Sequence, residues 1–234
     1  MSNSWFRFKQ FRIDQDRCPM KVGTDGVLLG AWFPIERGMR VLDIGTGTGL
    51  VALMAAQRGA GSVTAVDIDT DAAEQAGQNV ACSPWADTVH VECADIDSFV
   101  TECRFDRIVC NPPYFRDSLR SPDSGRNTAR HNDSLNYETL VLCADRLLAD
   151  DGRLCVVLPF DATEDFIKCA AATGLDLCLR TDVVTAPGKT PKRSLMAFGK
   201  SCSKLETGVL EICGSDGKET PEYINLVRDF YLNY

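Results

Sequence analysis

Histidine is scarce in this sequence. Among 234 residues there are only two, His90 and His131. Neither has a second plausible ligand nearby, so no metal site is expected. Long apolar runs are also missing. The longest, around Leu50 to Ala56, falls far short of the roughly 20 residues a helix needs to cross a bilayer. The start, Met1-Ser-Asn-Ser-Trp-Phe-Arg-Phe-Lys9, has no apolar stretch leading to a cleavage site, so no signal peptide is expected. Cys-x-x-Cys spacing is absent. The 11 cysteines are scattered, and most sit in apolar stretches (Cys110, Cys143, Cys155, Cys169). They read as free thiols packed as small hydrophobes in a reducing cytoplasm. An excess of positive charge is lacking too. Lys and Arg number 25 against 33 acids, a net charge of −8. That argues against wholesale nucleic-acid binding.

The rest is the mix of an ordinary globular domain, 44% apolar and 25% charged. The length predicts one domain spanning residues 1–234. No repeats or low-complexity tracts are seen. From residue 40 onward, strand and helix patterns alternate. Strands are expected at 40–44, 62–66, 88–91, 105–110 and 153–158. Helices are expected at 49–58, 70–81 (Thr70 the candidate N-cap), 135–148 and 162–173. Such alternation predicts a mostly parallel sheet with helices on both faces. Consecutive β patterns at 175–185, 194–198 and 208–212 suggest an antiparallel hairpin at the sheet edge. A helix over 221–231 with Pro221 in its first turn would close the chain.

The strongest local signal is Val41-Leu-Asp-Ile-Gly-Thr-Gly-Thr-Gly-Leu50. A strand runs into Gly45, Gly47 and Gly49, interleaved with Thr46, and then into a helix. Glycines there allow positive φ and let a ligand lie on bare backbone. The spacing is not the G-x-G-x-x-G of dinucleotide sites. Asp43 closes the strand and would repel a diphosphate, but it suits a ligand carrying an ammonium group. Asp67 ends the next strand and can accept hydrogen bonds from both hydroxyls of a ribose. Asp95 follows the third strand and can accept from an adenine amino group, with Ile68 and Ile96 on either side of the ring. These residues resemble the cofactor contacts of class I S-adenosylmethionine (SAM) methyltransferases. The resemblance covers residues 40–200 and implies their Rossmann-like fold with a seven-stranded sheet.

Asn111-Pro112-Pro113-Tyr114 ends the fourth core strand, where no helix or central strand can continue through two prolines. It is similar to the N/D/S-P-P-Y/F/W motif of enzymes that methylate planar, conjugated nitrogen. Such a nitrogen is a poor nucleophile, because its lone pair is delocalised. The Asn111 side-chain oxygen and the Pro112 carbonyl can hold two N–H groups and stabilise charge developing on nitrogen. Tyr114 offers a ring for stacking. No general base is needed, because the methylated ammonium sheds its proton readily.

Around this core lie Lys21-Val-Gly-Thr-Asp-Gly26, Ala129-Arg-His131, Pro191-Lys-Arg193 and Pro221-Glu-Tyr-Ile-Asn. Together with the tetrad they resemble the bacterial tRNA1(Val) (adenine(37)-N6)-methyltransferases over nearly the whole chain. The resemblance implies methylation of adenosine 37 at N6, with SAM as cofactor and tRNA as partner. It also implies that residues 1–39 cover the site, with Thr24, Asp25 and Gly26 near the cofactor. Residues 201–234 would add a strand and a helix. From the residues alone, Asp25 and Gly26 equally suit a capped turn before an apolar helix over 27–32. Local basic runs then become candidates for RNA phosphates: Lys189, Lys192 and Arg193, and Arg116, Arg126 and Arg130 in a long loop over 115–133. Residues 1–13 form another run, with Arg7, Lys9 and Arg12 and no acid. A cytoplasmic monomer, with no membrane or metal partner, is expected. The alternatives are a release-factor glutamine N5-methyltransferase and a non-catalytic RNA-binding module. The first carries a helical recognition domain for which 40 residues before Val41 are too few; the second has no need of the tetrad.

Overall fold

The computed structural model describes residues 3–18, 20–112 and 135–234. A small antiparallel hairpin comes first, β1 (Trp5–Arg7) and β2 (Arg12–Asp14), followed by α1 (Thr24–Trp32). The alternating core follows: β3 (Arg40–Ile44), α2 (Leu50–Gln57), β4 (Ser62–Asp67), α3 (Thr70–Ala81), β5 (Val89–Cys93) and β6 (Phe105–Cys110). After residue 134 come α4 (Tyr137–Leu147), β7 (Leu148–Pro159), a 3-10 turn and α5 (Thr163–Ala172). The chain ends with β8 (Asp176–Val184), β9 (Arg193–Gly199), β10 (Glu206–Glu211) and α6 (Pro221–Val227).

The main sheet has eight strands in the order β10-β8-β9-β7-β6-β3-β4-β5. The expected count of seven is thus corrected by one. The additional strand is β10, which pairs parallel to β8 outside the hairpin. β9 is antiparallel to both its neighbours, β7 and β8, and the remaining pairings are parallel. The β1–β2 hairpin was not expected, and its strands are three residues each. Two helix details also differ from expectation. Asp69, not Thr70, caps α3 by accepting from the Asp71 and Ala72 amides. The last helix stops at Val227, four residues early, capped at its start by Thr220 and opened by Pro221.

Side chains alternate across the strands, and each face of the sheet builds its own core. Val41, Val63, Val109, Cys155 and Val157 face α1, α2, α6 and the hairpin. Leu42, Ile108, Cys110, Leu154 and Val156 face α4 and α5. The period-two rule therefore puts Asp43, in phase with Val41, on the α2 side. The reading of every cysteine as a free thiol is corrected for one pair. Cys178 and Cys202 are disulfide-bonded, with Cα atoms 5.4 Å apart. Cys178 sits where the β8–β9 register slips between Leu177 and Leu179, so it is the extra residue, turned toward Cys202. The other nine cysteines are free. No helix among the described residues is long and apolar enough to cross a membrane.

Candidate active site

Because β3, β4, β6, β7 and β8 run parallel, their carboxyl ends share one edge of the sheet. The glycine loop, Asp67, Asn111 and the β8–β9 turn with Lys189 and Lys192 all emerge there. Open parallel sheets bind ligands at this edge.

Gly45, Gly47 and Gly49 all have positive φ, at 68°, 55° and 80°. A Cβ at Gly45 or Gly47 would meet nothing within 4 Å, so the loop presents open space above bare backbone. Four of its five amides are already used inside the protein. Gly45 and Thr46 donate to the Val66 carbonyl at 2.9 and 3.0 Å, and Gly49 donates to Thr46. Gly47 donates to Asp67 Oδ2 at 2.8 Å. A pyrophosphate would need those donors, so the geometry agrees with the spacing in excluding a dinucleotide cradle.

Asp43 is 2% exposed. Thr46 Oγ1 and the Ala52 amide both donate to its Oδ2, at 2.7 and 3.1 Å. Burial nonetheless pushes its pKa up to about 7, with the nearby Asp67 charge adding to the rise. A buried carboxyl in that state is suited to a cationic partner, which would restore the anion. Asp67 is half-buried at the tip of β4. Its Oδ2 accepts from Gly47, and its Oδ1 accepts from the Asp69 amide at 3.0 Å. A carboxylate has about four acceptor sites, which leaves capacity for a diol. Ile68 is 59% exposed beside it, whereas Ile96 is packed into the core at 5%. Asp95 is exposed, and its Oδ1 accepts from the Asp97 amide at 3.0 Å. Ammonium, ribose and adenine thus each have a chemically matched group along one edge, and the residues present fit SAM.

Asn111 follows β6 with its Oδ1 buried and, among the described residues, without a hydrogen-bond partner. Leaving such an acceptor unpaired costs about 1–3 kcal/mol, so the atom calls for an incoming N–H donor. Pro112 is buried next to it. The first turn of α1 lies against this residue. A Cβ on Gly26 would stand 3.9 Å from Asn111 Nδ2 and 3.1 Å from Leu50 Cδ2. The segment around Gly26 and Asn111 therefore meet, with Thr24 at the first helical position. Asp25 does not cap the helix. Its Oδ2 takes a 2.7 Å bond from Arg193 Nε. Of the three candidate cations in the β8–β9 region, Arg193 is thus engaged with α1. Pro113, Tyr114, Arg116, Arg126, Arg130 and His131 lie outside the described residues. Among those described, no cluster of three or more His, Cys, Asp or Glu is placed to hold a metal.

Sequence reasoning missed a set of buried amides that fastens the N-terminal segment to this edge. Asn79, 2% exposed on α3, accepts from the Asp14 amide and donates to the carbonyls of Asp14 and Thr48, each at 2.9 Å. One turn earlier, Gln75 Oε1 accepts from the Arg17 amide at 3.0 Å. Gln15 then receives the Val22 amide at 2.8 Å. The available signal was polar residues at 75 and 79, in phase with the buried Ala72 and Ala76 of the same helix.

Comparisons with known proteins agree with this geometry. The methyltransferase small domain family model matches residues 22–165. A tRNA1(Val) (adenine(37)-N6)-methyltransferase of Phocaeicola vulgatus is 51% identical over 233 residues, covering 100% of both chains. Its counterpart in Bacteroides fragilis is 49% identical with 99% of both chains covered. That of Yersinia enterocolitica is 43% identical, covering 98% of this chain and 93% of its own. Among solved structures, an Agrobacterium tumefaciens protein described as a predicted O-methyltransferase superposes with a TM-score of 0.69. It is 19% identical and covers 88% of this chain and 96% of its own. The ribosomal protein L11 methylase of Lactobacillus delbrueckii gives 0.57 at 18% identity, covering 80% and 83%. These two share the fold.

Proposed function

Because the chain belongs to the tRNA1(Val) (adenine(37)-N6)-methyltransferase family, we propose that it methylates the exocyclic N6 of adenosine 37 in a tRNA. SAM supplies the methyl group as an electrophile on a sulfonium. Everything else is done by the chain's own residues, as one domain acting in the cytoplasm, where tRNA is available.

The single observation that carries this reading is the buried Asn111 Oδ1, unpartnered among the described residues. It accepts one N6–H of the target adenine, and the Pro112 carbonyl accepts the other. With both hydrogens held, the nitrogen lone pair is turned out of the ring plane toward the donor. The same acceptors stabilise positive charge forming on nitrogen, and being fixed in place they need no reorganisation. Tyr114 stacks on the ring. An unpaired anticodon-loop base enters such a pocket at low unstacking cost. Asp43 takes the ammonium of the cofactor and Asp67 the ribose hydroxyls. Asp95 takes the adenine amino group, with Ile68 against the ring. Gly45, Thr46, Gly47 and Gly49 form the floor. Lys189 and Lys192 reach RNA phosphates from the β8–β9 turn.

The test is direct. Purified protein is incubated with methyl-labelled SAM and either total tRNA or a peptide-chain release factor. The tRNA is then digested for nucleoside mass analysis. N6-methyladenosine at position 37 is the expected product. Label in the release factor and none in tRNA overturns the assignment in favour of glutamine methylation.

A further inference from the structure

We infer that the outer face of the β1–β2 hairpin, formed by Trp5, Arg7 and Arg12, is a second RNA contact surface that docks the tRNA beside the modified base. The inference rests on the tRNA reading above.

The basic run over residues 1–13 is divided by the fold. Lys9 is used internally, its Nζ donating to the carbonyls of Arg228 and Tyr234 at 2.6 Å. Arg7 and Arg12 are directly opposed in the hairpin, and Trp5 is opposed to Asp14. Strand residues two apart share a face, so these four side chains stand together on one side. The other side carries Phe6 and Ile13 into the core. Trp5 is 44% exposed. The Arg12 guanidinium lies 4.9 Å from its ring centroid and is oriented by Asp14, which accepts from Arg12 Nε at 2.9 Å. Arg7 is exposed and makes no hydrogen bond or ion pair among the described residues. The face thus combines an accessible aromatic, a guanidinium stacked on it and a second cation, Arg7, with no partner among the described residues. A chain of net charge −8 concentrates two cations against one acid here. A stacking ring beside phosphate-seeking cations is the chemistry of unpaired RNA recognition.

The position is equally specific. Next to Trp5, the Ser4 carbonyl accepts from the Gln15 amide at 2.8 Å. The Asn3 carbonyl accepts from Gln15 Nε2 at 3.0 Å and from Lys21 Nζ at 3.3 Å. Gln15 Oε1 in turn holds Val22, two residues before α1, whose Gly26 abuts Asn111. The Trp5 end of the hairpin is therefore the end nearer the reactive edge. Its turn, by contrast, packs toward Phe230.

The test uses the full-length enzyme and wild-type tRNA. Trp5→Ala is expected to raise the KM for tRNA about tenfold, within the range that stacking of one base supplies. The kcat at saturating tRNA and the KM for SAM should stay within twofold of wild type. Trp5→Phe should restore most of the loss. Arg7→Glu should weaken tRNA binding and flatten its salt slope by about one. Because a variant could disturb the hairpin, hydroxyl-radical footprinting of the unmodified enzyme provides a second reading. Bound tRNA should protect Trp5 from oxidation. An unchanged tRNA KM in Trp5→Ala, or equal oxidation of Trp5 with and without tRNA, overturns the inference while wild-type methylation of tRNA leaves the main assignment standing. If the wild-type enzyme does not methylate tRNA, both readings fall.

Discussion

Asp25 and Arg193 are 168 residues apart in sequence and joined by a 2.7 Å ion pair at the mouth of the candidate site. Their side chains are 21% and 27% exposed, so solvent screens the pair only partly. The bond ties the first turn of α1 to the start of β9. Since Gly26 in that turn abuts Asn111, the pair braces the wall of chain that lies against the candidate acceptor. Arg193 is therefore engaged within the protein, which leaves Lys189 and Lys192 as the candidates for phosphate contact in the β8–β9 turn.

This separation of roles is measurable. Arg193→Ala should lower kcat and cost stability, whereas Lys192→Ala should weaken tRNA binding with stability unchanged. A double-mutant cycle between Asp25→Ala and Arg193→Ala, followed by urea unfolding, should give a coupling energy of about 1–2 kcal/mol, between exposed and buried pairs. Arg193→Lys should recover little, because an ammonium cannot reproduce the directed Nε bond. Additive single effects would show that the pair contributes nothing to the wall.

Buried amides make a second prediction. Asn79 satisfies three backbone groups at once. Asn79→Leu leaves the Asp14 amide and two carbonyls unpaired, at about 1–3 kcal/mol for each buried group. The loss in urea-unfolding free energy should be about 3 kcal/mol. At a temperature where the variant is still folded, the KM for SAM should rise more than kcat falls, because the glycine-loop carbonyl of Thr48 has lost its anchor. Asn79→Asp should behave no better, since a carboxylate cannot donate to those carbonyls. A variant with normal stability would show that water replaces the amide at no cost.

The core was legible because its signals are long or local. The apolar strand leading into Gly45, Gly47 and Gly49 identifies the β3–α2 turn without tertiary information. α3 shows in its 3.6-residue periodicity over 70–81, although its cap is Asp69 and not Thr70. The hairpin was not legible, since three-residue strands carry too little alternation to register. The parallel pairing of β10 with β8 depends on a connection from β9 that crosses β8, which no local pattern encodes. Within the site, Asp43, Asp67 and Asn111 could be picked out because each lies at or within one residue of the carboxyl end of a strand. The Asp25–Arg193 pair and the Asn79 clamp could not, because their partners are brought together only by the fold.

Asp43 should make cofactor binding pH-dependent. In the folded protein its pKa is about 7, against an ordinary 3.8. Between these values the native state binds more protons than the unfolded chain, so this group makes stability fall as pH rises from about 4 to 7. An ammonium beside the carboxylate favours the anion. Cofactor binding below pH 7 should therefore release a proton. The affinity for SAM, measured by calorimetry, should drop up to about tenfold per pH unit below 7 and level off above it. Asp43→Asn should bind weakly with no such slope. A wild-type affinity independent of pH from 5.5 to 7 would place the ammonium away from Asp43.

Asn111 gives a prediction in which activity and stability move apart. Its Oδ1 is buried and, among the described residues, unpaired, so the side chain carries a desolvation cost that an incoming amine would offset. Removing it should not destabilise the fold as an ordinary buried amide would. Asn111→Ala is expected to keep its unfolding free energy within about 1 kcal/mol of wild type, because the relieved acceptor compensates for the lost packing. SAM affinity should be nearly unchanged. The kcat for tRNA methylation should fall by about 10²–10³, the usual effect of deleting one preorganised acceptor or donor at the reacting atom. Asn111→Asp retains an acceptor of similar shape and should keep part of the activity. If Asn111→Ala instead loses SAM binding or unfolds, the residue braces the loop and does not hold the target nitrogen.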